Sequence, residues 1–380
     1  MTKKKTVKKA APPRKPAAPA WLSDRVRVMR KRLKATGAGG LLLTNPRDIR
    51  YLTGFVGDDS WALIPMRGAK VYILSDFRFE EQIQKEAPHA VVVMRKKSLA
   101  EELAGLAGRL RIDKVVVQAD YVTLSMRKTL AKHLGARRIL AIDDGMFKQR
   151  AVKDAGEVKA IGKALSIQQQ AFRETCEFIK PGLSEYEVAA YLEYRMRALG
   201  ADGVSFPSII AADANGSLPH AVPGKTKIKA GGSVLIDWGA KGGGYCSDLT
   251  RVVAVGKMKP KIREIYQIVL DAQMAAIDAI GPGKRQCDID SIARGVIEKA
   301  GYGDRFGHSL GHGIGLDIHE LPVLAGKAEG VLEVGQVVTV EPGIYLPGVG
   351  GVRIEDDVLV TPKGHKTLSD LPKSLESAII

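Results

Sequence analysis

Two apolar runs joined by a glycine-rich turn constrain this chain more than any other feature. They lie in the stretch VLIDWGAKGGGYCSDLTR at residues 234–251. Short apolar runs separated by consecutive glycines predict a tight β-hairpin. With a turn centred between Gly242 and Gly243, Asp237 and Asp248 become cross-strand neighbours whose Cβ atoms lie about 4.5–5.5 Å apart. Opposed like charges destabilise a sheet, so this arrangement indicates a bound cation between them. The alternative is a pair of solvated acids beside a turn.

Two more acids occur in strand-like sequence. Glu341 ends the apolar run VVTVE, and Glu355 lies in GVRIEDDV, where a period of two places Arg353 on the same strand face. Each of these acids alone is more typical of a protein surface. Four carboxylates in one pocket would repel by about 4 kcal/mol per close pair at an effective dielectric of about 20. Two divalent cations would balance them.

The histidines strengthen the metal interpretation. Four of the seven lie between residues 220 and 319, namely His220, His308, His312 and His319. His308 and His312 have the spacing of a zincin helix, but the glycines of GHSLGHGIGLDIHE oppose a helix and no glutamate follows His308. Carboxylates with one imidazole suit Mn²⁺, Co²⁺, Fe²⁺ or Zn²⁺, and the three widely spaced cysteines indicate neither a thiolate site nor a disulfide framework.

The charge of the chain raises a competing interpretation. The 380 residues carry a formal net charge of +16, which is typical of nucleic-acid or membrane-surface binding. Residues 1–20 contain seven basic residues and no acid in a Lys, Pro and Ala sequence, which predicts a disordered basic arm. Because the chain shows no recognition helix, zinc finger or aromatic-interleaved patch, we expect at most nonspecific nucleic-acid contact by this arm. No apolar run approaches the length of a membrane span, so we predict a soluble, cytoplasmic protein without a membrane partner.

The pattern of elements predicts two domains behind the arm. Residues 21–147 alternate short strands with helices, which is typical of an α/β domain. Residues 150–380 begin with polar helical sequence and continue as short strands with glycine-rich turns, which predicts a second domain that contains the acids and histidines described above. For the first domain we predict strands at 40–44, 61–65, 71–74, 90–94, 114–118 and 138–141, and helices at 77–86, 99–110 and 123–134. In the second domain, Ser184 and Glu187 form a predicted capping box at the start of a helix.

The order and surroundings of the acids and histidines match a known family. The motifs DWG, SDLTR, GHGIGLDIHE, EPGIY and GVRIED resemble those of the metal-dependent peptidases of the creatinase/aminopeptidase, or pita-bread, fold. The similarity is greatest to Xaa-Pro aminopeptidases and prolidases. The stretch TNPRDIRYLTGF at residues 44–55 is similar to the extra N-terminal domain of that subfamily. The resemblance therefore implies an α/β creatinase-like N-terminal domain followed by an α+β pita-bread catalytic domain.

The resemblance also implies a ligand set for two divalent metal ions, with Mn²⁺ foremost. Asp237 would bind one ion, Asp248 and Glu355 would bridge both, and His312 and Glu341 would complete the other. Glu341 would also accept a proton from the attacking water and pass it to the leaving nitrogen. His220 and His319 match catalytic positions that stabilise the tetrahedral intermediate. Positions that line the pocket or support the ligands are matched by His308, Tyr345 and Arg353.

The activity implied by the resemblance is hydrolysis of the bond before proline. Cleavage at the N-terminus of peptides with proline in the second position, as by an Xaa-Pro aminopeptidase, is our first expectation. An Xaa-Pro dipeptidase, or prolidase, is the alternative. A non-catalytic peptide-binding protein on the same fold is a more remote one, which the full set of five ligands disfavours. The resemblance further implies a homodimer.

Overall fold

The computed structural model describes residues 16–143 and 146–380. The chain divides into two compact units, and the division falls between Gln149 and Arg150 along the chain, inside the short helix α6 (Phe147–Ala151). The first fifteen residues, which include most of the predicted basic arm, lie outside the described residues. No helix among the described residues is both long enough and apolar enough to cross a membrane.

The N-terminal unit is a six-stranded sheet with helices. Its sheet has the order β4-β3-β2-β1-β5-β6, and β2 runs antiparallel to the other five strands. The strands are β1 (Gly40–Leu43), β2 (Trp61–Pro65), β3 (Tyr72–Ser75), β4 (Val91–Met94), β5 (Val115–Gln118) and β6 (Ile139–Ile142). The helices that precede α6 are α1 (Ala20–Leu33), α2 (Pro46–Thr53), α3 (Glu80–Glu86), α4 (Leu99–Arg109) and α5 (Leu124–Leu134).

All six predicted strands of this unit are confirmed, with ends that shift by at most one residue. The predicted helix at 77–86 begins as a 3-10 turn at Phe77–Phe79 before α3. Helix α2 was not predicted, although its start carries a recognisable signal. The Asn45 side chain accepts a hydrogen bond from the Arg47 backbone, and Pro46 takes the first helical position, where its missing N–H costs nothing.

The second unit combines four small sheets with long helices. The sheets have the orders β11-β10-β7, β12-β9-β8, β14-β13-β15-β18-β19 and β16-β17. The helices are α7 (Ala155–Phe178), α8 (Glu185–Ala198), α9 (Pro260–Ala279) and α10 (Gln286–Lys299). The strands are β7 (Gly203–Val204), β8 (Ile209–Ala212), β9 (Ser233–Trp238), β10 (Ala240–Gly242), β11 (Tyr245–Cys246), β12 (Leu249–Ala254), β13 (Gly311–Gly313), β14 (Glu320–Leu324), β15 (Val337–Val340), β16 (Gly343–Leu346), β17 (Gly350–Arg353), β18 (Asp356–Thr361) and β19 (Gly364–Thr367).

One apolar core joins three of these sheets, all but β11-β10-β7, to α9 and α10. Ile262, Ile265 and Val269 recur along the inner face of α9 and are buried against strand residues such as Val338 and Val352. The strands of the core therefore have one side against the helices. The acids that sequence analysis selected occur on these strands or directly beside their ends, so the core holds their backbones in place.

The predicted hairpin forms, but its predicted register is wrong. Asp237 pairs with Thr250 and Gly242 with Tyr245, because the turn residues are Gly243 and Gly244. Both turn glycines have positive φ, 56° and 78°, as a two-residue type I′ turn requires. The pairing has moved by two residues from the prediction. Because side chains alternate with a period of two, this shift leaves Asp237 and Asp248 on the same face, and they are diagonal neighbours there.

The two later strands are also shorter than predicted. The run that ends in Glu341 leaves the sheet after Val340, so Glu341 lies just beyond β15. The run around Glu355 is interrupted, because Ile354 and Glu355 separate β17 from β18. Both glutamates thus occupy ends of strands, where the backbone is free of the sheet ladder and a side chain can turn toward a site.

Candidate metal centre

Three carboxylates converge at the hairpin. One oxygen from each of Asp237, Asp248 and Glu355 lies within 4.8 Å of the others. Asp237 comes from the end of β9, Asp248 from the link between β11 and β12, and Glu355 from the link between β17 and β18. The two strand pairs are joined by a hydrogen bond from the Glu355 backbone to the carbonyl of Thr250, 3.2 Å long. This cross-connection brings the third acid to the hairpin.

His312 connects the carboxylate cluster to Glu341. Its Nε2 lies 3.6 Å from Oδ2 of Asp248 and 3.4 Å from Oε1 of Glu341. His312 is on β13, beside β15, whose end carries Glu341. All five residues predicted as ligands therefore lie together in the folded chain. They come from four separate segments of the chain, and more than 100 residues lie between the first and the last of them.

Burial and mutual repulsion perturb the carboxyl groups of this cluster. Burial, followed by the charges of Glu355 and Asp237, raises the pKa of Asp248 well above its ordinary value. Burial and the charge of Glu341 do the same to the pKa of Glu355. The pKa of Glu341 rises to about 7, chiefly through burial. Burial lowers the pKa of His312 to about 4, which favours the neutral imidazole that metals bind.

The oxygens of the cluster fit a divalent cation. In the described part of the chain, Oδ1 of Asp237 and Oε1 of Glu355 are buried without a hydrogen-bond partner. The second oxygen of each group is bonded, to Arg353 in the case of Asp237 and to Thr250 in the case of Glu355. Buried carboxylate oxygens without partners are costly, and metal coordination would satisfy them. Carboxylates with one imidazole are the donor set that Mn²⁺, Fe²⁺, Co²⁺ and Zn²⁺ accept.

Arg353, Tyr345 and His308 form a chain of hydrogen bonds that leads away from Asp237. Nη2 of Arg353 donates to Oδ2 of Asp237 at 2.5 Å, and Nη1 donates to the Tyr345 hydroxyl at 2.7 Å. That hydroxyl lies 2.8 Å from Nε2 of His308. Nε of Arg353 donates to Thr250, so every guanidinium nitrogen donates to a protein atom. Arg353 is thus placed to hold Asp237 and Tyr345.

The two histidines predicted to be catalytic are exposed at the edge of the cluster. The ring of His319 lies 4.4 Å from that of His312 in an edge-to-face arrangement. His220 follows Pro219, whose carbonyl accepts a hydrogen bond from Nη1 of Arg353 at 3.4 Å. A histidine that supports metal ligands would be buried. An exposed one beside the cluster can contact a substrate.

Three supporting residues were missed by sequence analysis. The Thr339 hydroxyl accepts from the backbone N–H of His312 and donates to Oε1 of Glu341, both at 3.0 Å. Thr250 similarly donates to Glu355 at 2.6 Å. Each threonine lies two residues from a predicted ligand, so the strand period could have found them. Asp357, which accepts from the backbone N–H of Asp248 at 3.2 Å, lies two residues after the predicted ligand Glu355, so the same period could have found it.

Comparisons with known families agree with this site. Residues 159–362 match the model of metallopeptidase family M24, and residues 25–152 match the creatinase/prolidase N-terminal domain. The chain belongs to metallopeptidase family M24. It is accordingly a hydrolase of peptide bonds that depends on divalent metal, and the predicted creatinase/aminopeptidase fold is confirmed.

Individual relatives match over nearly the whole chain. The structure of an Xaa-Pro dipeptidase from Bacillus anthracis has a TM-score of 0.90 at 39% identity, covering 94% of this chain and 100% of its own. An X-Pro aminopeptidase from Thermotoga maritima has a TM-score of 0.86 at 36% identity, covering 92% and 100%. The Xaa-Pro dipeptidase of Pyrococcus horikoshii is 35% identical over 93% of this chain and 99% of its own.

Proposed function

We propose that this enzyme is an Xaa-Pro dipeptidase that hydrolyses the bond before a C-terminal proline. The observation that carries the proposal is the joining of Asp237, Asp248 and Glu355 with His312 and Glu341 in one buried cluster. Relatives named as Xaa-Pro dipeptidases share this chain's length and fold. They favour the dipeptidase over the Xaa-Pro aminopeptidase that we first expected from the sequence.

The same residues define the proposed centre for two divalent ions. Asp237 would hold one ion, Asp248 and Glu355 would lie between the two, and His312 with Glu341 would hold the other. When bound, such a pair acts as a Lewis acid and lowers the pKa of water toward neutrality. Arg353 orients Asp237, while Thr250 and Thr339 orient Glu355 and Glu341. We propose manganese as the native metal and a homodimer as the working assembly.

The remaining steps fall to side chains at the edge of the cluster. Glu341 takes a proton from the attacking water and delivers it to the proline nitrogen as the peptide bond breaks. Its proton-accepting oxygens lie beside the neutral imidazole of His312. His220 and His319 donate hydrogen bonds to the carbonyl oxygen of the scissile bond as its negative charge grows. His308 and Tyr345 shape the pocket next to Asp237.

The competing activity rests on the similarity to the aminopeptidase from Thermotoga maritima. Both activities need the same metal centre, and they differ in whether the chain continues after proline. The deciding experiment compares hydrolysis of Ala-Pro with that of Ala-Pro-Ala, with added Mn²⁺ and with a chelator. A dipeptidase cleaves Ala-Pro preferentially, and the chelator abolishes the activity. Preferential cleavage of the tripeptide would establish the aminopeptidase instead, and cleavage of neither would refute both.

A further inference from the structure

The segment that carries His220 has little regular structure of its own. After β8 ends at Ala212, a 3-10 turn covers Asp213–Ser217, and the chain then passes through His220 toward Gly224. We call residues 212–224 the His220 segment. His220 and Val222 are exposed, the latter by 81%, while Ala221 between them is buried in the apolar core, so apolar burial holds this part of the segment through a single methyl group. Its orientation over Arg353 must come from other contacts.

Both ends of the His220 segment bind one buried carboxylate, that of Glu185. Oε1 of Glu185 accepts from the backbone N–H of Ala212 at 2.7 Å and from Nδ2 of Asn215 at 2.9 Å. Oε2 accepts from the backbone N–H of Gly224 at 2.9 Å. The side chain is almost completely buried, with 1% exposure. A single carboxylate thus accepts hydrogen bonds from residues before and after His220 and links the two ends of the segment.

Glu185 is not needed to cap its own helix. It is the first residue of α8, where an acid would ordinarily interact with the helix dipole. The cap is instead supplied by Ser184 and Glu187, which form the predicted capping box. All three hydrogen bonds that Glu185 accepts come from the His220 segment. Its burial is therefore explained by the segment and not by the helix.

A close approach of backbones supports the segment from the other side. Gly216 lies against Gly351 of β17, and a Cβ on Gly351 would overlap the carbonyl oxygen of Gly216. β17 ends in Arg353, whose Nη1 donates to the carbonyl of Pro219. The segment is consequently held between Glu185 and the strand that carries Arg353. A shift at either contact moves His220 relative to the carboxylate cluster.

We propose that Glu185 is a positioning residue that sets the place of His220 over the metal centre. This inference rests on the proposed function, because it gives His220 a part in the reaction. The chemistry requires a carboxylate, since donors approach both of its oxygens. A glutamine at 185 would direct an NH₂ group at the donors on one side and lose the hydrogen bonds there. The backbone bond from Tyr186 to the carbonyl of Gly224 and the pairing of Ala212 with Val234 would remain, so the segment should shift and not detach. Displacement of a catalytic group by about 1 Å can cost about 100-fold in rate.

A double-mutant cycle tests whether Glu185 acts through His220. We would measure kcat and KM for Ala-Pro in the wild type, Glu185→Gln, His220→Ala and the double variant, all loaded with Mn²⁺. Glu185→Gln is expected to lower kcat by about 10-fold to 100-fold with a smaller change in KM. In the His220→Ala background the same substitution should have almost no further effect. Equal effects in both backgrounds would overturn the proposal.

Ser184→Ala is the matched control, because it removes the cap of the same helix and leaves the Glu185 carboxylate in place. It should lower the melting temperature with kcat unchanged. If Glu185→Gln fails to fold, Asn215→Ala removes one of the three hydrogen bonds and should lower kcat in the same direction by a smaller factor. A kcat for Asn215→Ala equal to that of the wild type would then contradict the proposal.

Hydrogen exchange separates this inference from the proposed function. In metal-free protein without substrate, the amides of Ala212 and Gly224 should exchange faster in Glu185→Gln than in the wild type. Amides of β15 and β18 should be unchanged. If the wild type cleaves neither peptide but this local effect appears, the proposed function is wrong while the anchoring by Glu185 holds. Unchanged exchange at both amides would refute the anchoring itself.

Discussion

At the scale of single residues, the two oxygens of a carboxylate have different surroundings in the metal centre. Asp237 and Glu355 each give one oxygen to a protein donor and leave the other buried without a partner among the described residues. Donors on one side orient the carboxylate, and the second oxygen remains available to a cation. Residues that donate hydrogen bonds to metal ligands orient those ligands in this way. Loss of such a residue commonly lowers metal affinity about 10-fold to 100-fold.

Asp248→Asn tests the balance of charge in the cluster. The substitution replaces the Asp248 carboxylate, which the charges of Glu355, Asp237 and Glu341 repel, with a neutral amide. We expect no detectable turnover, together with a metal-free protein at least as stable as the wild type, because repulsion is relieved. Differential scanning calorimetry with and without Mn²⁺, beside a peptidase assay, provides the measurement. Asp271→Asn, at an exposed site on α9, is the control and should retain both activity and the stabilisation by Mn²⁺. Wild-type turnover in Asp248→Asn would contradict the ligand assignment.

At the scale of elements, the hairpin shows how a turn decides the geometry of a site. The period of two predicted which side of β9 and β12 would face the cluster, and that prediction survived a two-residue error in register. The register itself was set by which glycines took positive φ. Three consecutive glycines offer more than one two-residue turn, and only the packing of the flanking strands selects among them.

Gly243 should resist substitution for this reason. At φ 56° an alanine is strained by about 1 kcal/mol, and the strain falls directly on the turn between Asp237 and Asp248. We expect Gly243→Ala to lower the free energy of unfolding by about that amount in urea titration. Gly162→Ala, inside α7 with open space around its Cβ position, should instead stabilise the protein by about 0.5–1 kcal/mol. Equal effects of the two changes would show that the turn conformation is not the constraint.

At the scale of the whole molecule, burial of ionisable groups makes stability depend on pH. Burial lowers the pKa of His308 to about 4, and the nearby positive or ionisable groups Arg353, His220 and Arg294 add to the effect. In the unfolded chain the pKa returns to about 6.5. The unfolded state therefore binds a proton first as the pH falls, and the stability that His308 contributes above pH 6.5 is lost between about pH 6.5 and pH 4.

A comparison of unfolding at two pH values isolates this contribution. Between pH 7.5 and pH 5, His308 should account for about 2 kcal/mol of lost stability in metal-free protein. His308→Gln cannot take up this proton, so its stability should fall by that much less over the same range. Urea titrations of both proteins at each pH give the difference directly. Parallel losses in the two proteins would mean that His308 titrates normally in the folded chain.

The amino-acid sequence by itself determined the kinds of residue at the site, the strand faces that carry them and most of the element boundaries of the N-terminal unit. These follow from local periodicity, from capping residues and from turn glycines, which depend on neighbours a few residues away. Only the tertiary structure decided the hairpin register, the support of His312 and Glu341 by Thr339, and the closure of the His220 segment by Glu185. Those features depend on contacts between groups up to 39 residues apart along the chain, such as Glu185 and Gly224, and no local pattern encodes which distant donor will meet a buried acceptor.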